Sequence, residues 1–160
     1  ESDFAVENVD KIHKIFIADQ QNRTATLIRK DKHWEYQNAV GKAYKARPAA
    51  IEVLLKTIQN VEVRYMVQDA AVPLAVEDLS TNGKKVELYD KRGKRFKTYY
   101  VGGASNDMQG TFMIMEGSDN PYVTHLQVWE GFLTDRFLIA ERDWRDKTVF
   151  SLKVVKLNLD

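Results

Sequence analysis

The short links between β-patterned runs constrain this chain more than any other feature. Residues 12–17, 24–29 and 33–36 are three runs rich in β-forming side chains. Asp19-Gln20-Gln21-Asn22 and Lys30-Asp31-Lys32 lie between them, and both are turn chemistry. Parallel neighbours need a crossover of about a dozen residues or more. These links are shorter, so the three strands must form an antiparallel meander. The rhythm returns at 86–89, 95–101, 111–116 and 122–126. Lys91-Arg92-Gly93-Lys94 closes a hairpin, with Gly93 where a positive φ is needed. Residues 111–116 are apolar on both faces and predict a central strand.

Helical periodicity is scarce. Residues 47–60 carry Ile51, Leu54, Leu55 and Ile58 on one stripe, with Pro48 in the first turn and Asn60 at the close. Residues 61–67 then alternate. Val61, Val63, Tyr65 and Val67 share one side, which predicts a half-buried strand. A second helix is expected from about Pro73, with Val72, Val76 and Leu79 on its buried face and Asn82-Gly83 as its stop. Residues 1–10 read as an extended lead-in, 127–147 mix aromatics with charges, and 152–159 predict a last strand.

The expected fold is α+β: antiparallel sheet with two helices packed on one face, in a single domain over residues 1–160. The pattern also allows two related lobes, 11–70 and 83–160. Ile12-x-Lys14-Ile15-x-Ile17 is echoed by Val154-x-Lys156-Leu157-x-Leu159, which allows residues 152–160 to be read as the start of a further repeat.

At 160 residues and 44% hydrophobic, the chain can bury a core without covalent staples. It has no cysteine, which removes disulfides and thiolate chemistry. Its 24 basic and 23 acidic residues leave a net charge of +1, so no global field attracts nucleic acid, and no nucleic-acid partner is expected. The basic residues Lys84, Lys85, Lys91, Arg92, Lys94, Arg95 and Lys97 do gather on one hairpin, where they could guard a strand edge or face anionic head groups. No run is apolar enough to span a membrane. The chain starts at Glu1 rather than Met, so a preceding signal or anchor is expected.

No catalytic constellation stands out. His13, His33 and His125 are isolated, without metal-ligand spacing. Glu116, Asp119, Glu130 and Asp135 have no spacing that fixes a carboxylate pair. Ser80, Ser105, Ser118 and Ser151 lack a nucleophile-elbow context. No cofactor is expected. Two non-catalytic candidates remain. Gly102, Gly103, Ser105, Asn106 and Asp107 form a glycine-led polar loop that could hold a small polar ligand, although it lacks the Gly-Lys-Ser/Thr of a phosphate loop. Trp129, Phe132, Arg136, Trp144 and Arg145 could form a partner-docking patch, because Trp and Arg dominate interface hot spots. The plainer reading makes Trp129, Phe132 and Phe137 core, and makes Asp143-Trp144-Arg145-Asp146-Lys147 a structural clasp tying residues 127–147 to the sheet.

Several segments follow one another in a distinctive order: Tyr99-Tyr100-Val101-Gly102-Gly103, Gly110-Thr111-Phe112-Met113, Pro121-Tyr122-Val123, Glu130-Gly131-Phe132-Leu133-Thr134-x-Arg136-Phe137 and Asp143-Trp144-Arg145-Asp146-Lys147-Thr148-Val149-Phe150. Asp3-Phe4-Ala5-Val6 and Arg47-Pro48 precede them. In their order and spacing these segments resemble the DUF4340 family, bacterial proteins of unknown function, and are most like Bacteroidetes members. The resemblance implies a membrane segment or lipoprotein-like signal just before Asp3. It also implies genes beside ABC-transporter components of the gliding-associated type, and a further copy of the unit in longer members. It supplies no catalytic residues. The expectation is a non-catalytic binding or assembly domain in the cell envelope, on the outer side of the inner membrane, with a protein partner. The alternatives are an envelope enzyme acting on glycan or peptide, and a sensor for a small polar ligand.

Overall fold

In a computed structural model, residues 2–127 and 131–147 are described. The strands are β1 (Lys14–Ala18), β2 (Thr24–Arg29), β3 (Trp34–Gln37), β4 (Ala43–Lys45), β5 (Glu62–Met66), β6 (Lys84–Tyr89), β7 (Arg95–Ala104), β8 (Thr111–Met115) and β9 (Tyr122–His125). They form one sheet in the order β4-β3-β2-β1-β6-β7-β8-β9-β5. Every pairing is antiparallel, as the short links require. The expected α+β class and antiparallel sheet are present. β4 was not legible beforehand, since Ala43-Tyr44-Lys45 is too short to show alternation. The strand expected at 152–159 lies outside the described residues.

Helix α1 (Pro48–Asn60) opens with Pro48 at its first position and buries Ile51, Leu54 and Ile58, as its stripe predicts. Helix α2 (Val72–Asn82) ends before Gly83. Leu79 is buried and Val72 packs against the same core, as the pattern predicts, but the third expected residue is displaced. Ala75 and Leu79 are buried, whereas Val76 is exposed. Alanine carries little hydrophobic signal, and close packing on the sheet selects it for size.

The two helices do not share a face. Along β7, Tyr99 and Val101 belong to the core that contains Leu54 and Ile58 of α1. Tyr100, between them, packs with Ala75 and Leu79 of α2. Successive strand residues point to opposite faces, so α1 and α2 lie on opposite sides of the sheet. The α1-side core is the larger. It takes Ile15 and Ile17 of β1, Leu27 of β2, Val86 and Leu88 of β6, and Met113 of β8. The α2-side core involves only β7, β8, β9 and the Val67 that follows β5. On that side of β1 and β2, Phe16, Thr26 and Ile28 remain half-buried.

Residues 131–147 close the α1-side core. Leu133, Phe137 and Trp144 are buried in it. The Leu133 N–H donates to Thr111 Oγ1 at 2.9 Å, and Trp144 Nε1 donates to the Leu138 carbonyl at 2.7 Å. Arg47 Nε donates to the Asp143 carbonyl at 2.7 Å, tying the start of α1 to the same segment.

Candidate functional site

The site begins with an irregularity in β5. This edge strand pairs with β9 through Val63↔Thr124 and Tyr65↔Val123, so two β5 steps cover one step of its partner. Arg64 is the extra residue of a β-bulge. The bulge resets the alternation. Val61 enters the α1-side core, but Val67 enters the α2-side core. Tyr65 stands beside Val123 on the α2 side. The expected strand with Val61, Val63, Tyr65 and Val67 on one buried side is thus corrected. All five β5 residues are exposed, because β5 is an edge and Arg64 breaks the period.

Opposite Tyr65 stands the loop that links β7 to β8. Ser105 is buried, and its N–H donates to the Gly110 carbonyl at 2.8 Å. Met108 takes a left-handed turn at φ 60°. The carboxylate of Asp107 organises the loop. Its Oδ1 accepts from Ser105 Oγ at 2.6 Å and from the Gln109 N–H at 3.1 Å. Its Oδ2 accepts from the Tyr65 hydroxyl, across 42 residues of sequence. The Ser105 hydroxyl, then the Tyr65 hydroxyl and the Gln109 N–H, hold the Asp107 carboxyl below its ordinary pKa. Burial, followed by the bond to Asp107, pushes the Tyr65 phenol up.

Between these walls lies a cleft of about 440 Å³. Val67, Ala71, Phe112 and Val123 make an apolar floor, with Gln68 and Asn106 at the sides. Its volume lies in the range of small-molecule sites, which combine an apolar lining with a few fixed polar groups. Among the described residues that line it, Asp107 is the charged one. The arrangement can therefore accept a hydrogen bond or a positive charge from a ligand whose apolar part rests on the floor. The Ser105 hydroxyl is engaged with a carboxylate rather than with a histidine base, so it is not arranged as a nucleophile.

The structure brings Ser105, Asn106 and Asp107 of the expected loop into this cleft, but not Gly102 and Gly103. Both glycines lie inside β7 beneath α2, where the Gly103 N–H donates to Asp78 Oδ2 at 2.6 Å. A Cβ on Gly102 would meet Asp78 Oδ2 at 2.5 Å and Leu79 Cδ2 at 3.0 Å. They are there because the helix comes close, and not to shape a turn. Sequence reasoning missed Tyr65 and Gln68 as site residues. The only signal was an apolar aromatic on an exposed edge, and nothing local pairs it with residue 107.

The expected docking patch is dispersed. Trp144 is fully buried, so it cannot face a partner. Arg145 lies over the Tyr44 ring at 4.2 Å and pairs with Glu141 at 3.5 Å. Arg136 Nη1 donates to Thr57 Oγ1 at 3.2 Å, and Phe132 is half-buried. Trp129 lies outside the described residues. The segment works as the clasp that the sequence also allowed. Several cations of the basic hairpin are likewise used internally. Lys84 Nζ donates to the carbonyls of Thr134 and Phe137 at 3.0 and 2.7 Å. Lys97 Nζ donates to those of Asp3 and Ala5 at 2.6 and 3.0 Å. Arg95 pairs with Glu87 at 2.6 Å. Among the described residues, no three His, Asp or Glu side chains gather closely enough to hold a metal ion. No described helix is long and apolar enough to cross a membrane.

An all-antiparallel α+β domain with helices on both faces and an acidic-walled cleft at one edge of its sheet is the class that this geometry defines. Residues 34–158 match the family described as a domain of unknown function, DUF4340, and the chain belongs to that family. No curated protein and no solved structure matches it.

Proposed function

We propose that this chain is a non-catalytic binding domain of the bacterial cell envelope, and that the cleft between Tyr65 and the 105–109 loop is its binding site. One observation carries the reading. The bulge at Arg64 turns Tyr65 so that its hydroxyl and that of Ser105 both donate to Asp107 over an apolar floor. Bulges are over-represented next to functional sites, where they re-aim a side chain. The ligand class that fits is a small polar molecule with a hydrogen-bond donor and an apolar body. The envelope setting, and service to an ABC-type transporter of the gliding-associated kind, are supported by the resemblance of the sequence to its family.

The test is a thermal-shift screen of small amines, amino acids and amino sugars against the wild type and Asp107→Ala. A binding ligand raises the melting temperature by mass action. The expected result is a hit that stabilises the wild type and leaves Asp107→Ala unmoved. Equal stabilisation of both proteins, or no hit across the panel, would remove the cleft as the site. Separately, the protein isolated from envelope extracts should co-purify with a transporter component. Its recovery alone would argue against the assembly role.

A further inference from the structure

A second recess lies on the opposite side of the sheet, between α1 and the β3–β4 end. It measures about 460 Å³. Its floor is apolar: Trp34, Ala46, Pro48, Ile51 and Leu55. Its rim is cationic. Lys32 comes from the turn before β3, Lys45 from the end of β4, and Lys56 from α1. Three lysines thus stand against one acid, Glu52, among the residues that line it. Glu52 pairs with Lys56 at 2.9 Å, and Asp146 approaches Lys45 at 3.7 Å. Lys32 has no ion pair among the described residues.

An apolar floor rimmed by three lysines, of which Lys32 alone has no carboxylate partner among the described residues, defines the chemistry of an occupant. Long lysine stems lie along apolar surface while their heads stay in water, and a focused positive rim draws an anion. Apolar contact with the floor, at about 25 cal/mol per Å² buried, supplies the remaining drive. A neutral apolar molecule would leave the rim unused. A bilayer surface would meet the lysine heads without reaching Trp34, which is only 8% exposed. We propose that this recess binds one molecule of an amphipathic anion, an aliphatic chain ending in a carboxylate. The chain lies on the floor of Trp34, Ile51 and Leu55, and the carboxylate sits among Lys32, Lys45 and Lys56. This site is independent of the cleft at Asp107 and stands or falls without it.

Calorimetric titration of the wild-type protein with monomeric decanoate tests the assignment. The expected result is saturable binding at one equivalent, weakened at least tenfold in the triple variant Lys32→Gln/Lys45→Gln/Lys56→Gln. These side chains are at the surface, so the variant should fold, and an unchanged circular dichroism spectrum verifies that. Decyltrimethylammonium, with the same chain and the opposite charge, should not saturate the site. Absence of saturation by decanoate, equal affinity of the triple variant, or equal binding of the cation would overturn the proposal. So would co-sedimentation with phosphatidylglycerol vesicles in the absence of any decanoate binding, which would assign the lysines to a membrane surface.

Discussion

At the scale of single residues, Tyr99 presents the clearest unpaid cost. Its ring is fully buried, edge-on to Phe4 and Phe137 at centroid distances of 5.8 and 6.4 Å. Among the described residues its hydroxyl has no hydrogen-bond partner. Burial alone pushes the phenol far above its ordinary pKa, so it stays neutral and never offers a charge to compensate. An unsatisfied buried polar group costs about 1–3 kcal/mol, whereas the ring supplies the packing. Tyr99→Phe should leave stability unchanged or raise it by about 1 kcal/mol in urea unfolding. A loss of that size would mean that the hydroxyl has a partner in solution. Gly110 makes the opposite case. A Cβ there would collide with the Thr124 carbonyl oxygen and stand 2.8 Å from Val123 Cγ1. The obstacle is partly backbone and cannot swing aside. Gly110→Ala should therefore lower stability by about 1–3 kcal/mol, the usual range for overpacking, and loosen the loop that carries Asp107.

At the scale of elements, the β6–β7 hairpin is held on its open face by a polar network. Glu87 accepts from Arg95 Nη1 at 2.6 Å and from the Tyr89 hydroxyl at 2.9 Å, with Lys85 at 3.5 Å. Burial works to raise the Glu87 pKa, but these donors and charges outweigh it and hold the carboxyl below its ordinary value of 4.5. A carboxyl lowered by folding contributes fully above its unfolded pKa, and that contribution fades as pH falls through the folded value. Glu87→Gln should thus lose stability at neutral pH. It should also lose less than the wild type on acidification from about pH 7 to about pH 3, read as urea midpoints. Equal acid slopes would show that Glu87 titrates alike in both states. Elements such as this hairpin and α1 were legible in the sequence because their signals are local: a glycine turn between alternating runs, and one apolar stripe behind a proline. The cleft was half legible. Ser105, Asn106 and Asp107 announce a polar loop by themselves. Tyr65 reaches them only because one inserted residue, Arg64, shifts a period of two, and a composition-neutral bulge leaves no mark in the pattern. Gly102 and Gly103 were misassigned for a related reason. A glycine under a helix and a glycine in a turn look the same until the helix is placed, and no local pattern shows which face of the sheet α2 covers.

At the scale of the whole molecule, the question is whether two lobes or one body unfolds. The boundary suggested by the sequence falls between residues 70 and 83, yet the strands on its two sides interleave. β1 pairs with β6 along five residues in the middle of the sheet, and β5 crosses to the far edge to pair with β9. The α1-side core is shared in the same way. Ile17 and Leu27 from one side of that boundary meet Val86, Tyr99 and Phe137 from the other. Separating the halves would expose that core and break the β1–β6 ladder, at a cost comparable to unfolding either half. Cooperative all-or-none unfolding is the usual behaviour of a chain with one such core. Urea unfolding followed by far-ultraviolet circular dichroism and by tryptophan fluorescence should therefore give one coincident transition. Trp34 reports from the N-terminal meander and Trp144 from the C-terminal clasp, so the fluorescence samples both sides. Ile17→Ala, at a fully buried position in β1, should move both signals together by about 2–5 kcal/mol. If only the N-terminal part melts earlier, the transitions will separate, and the β1–β6 seam will have proved weaker than the cores on either side of it.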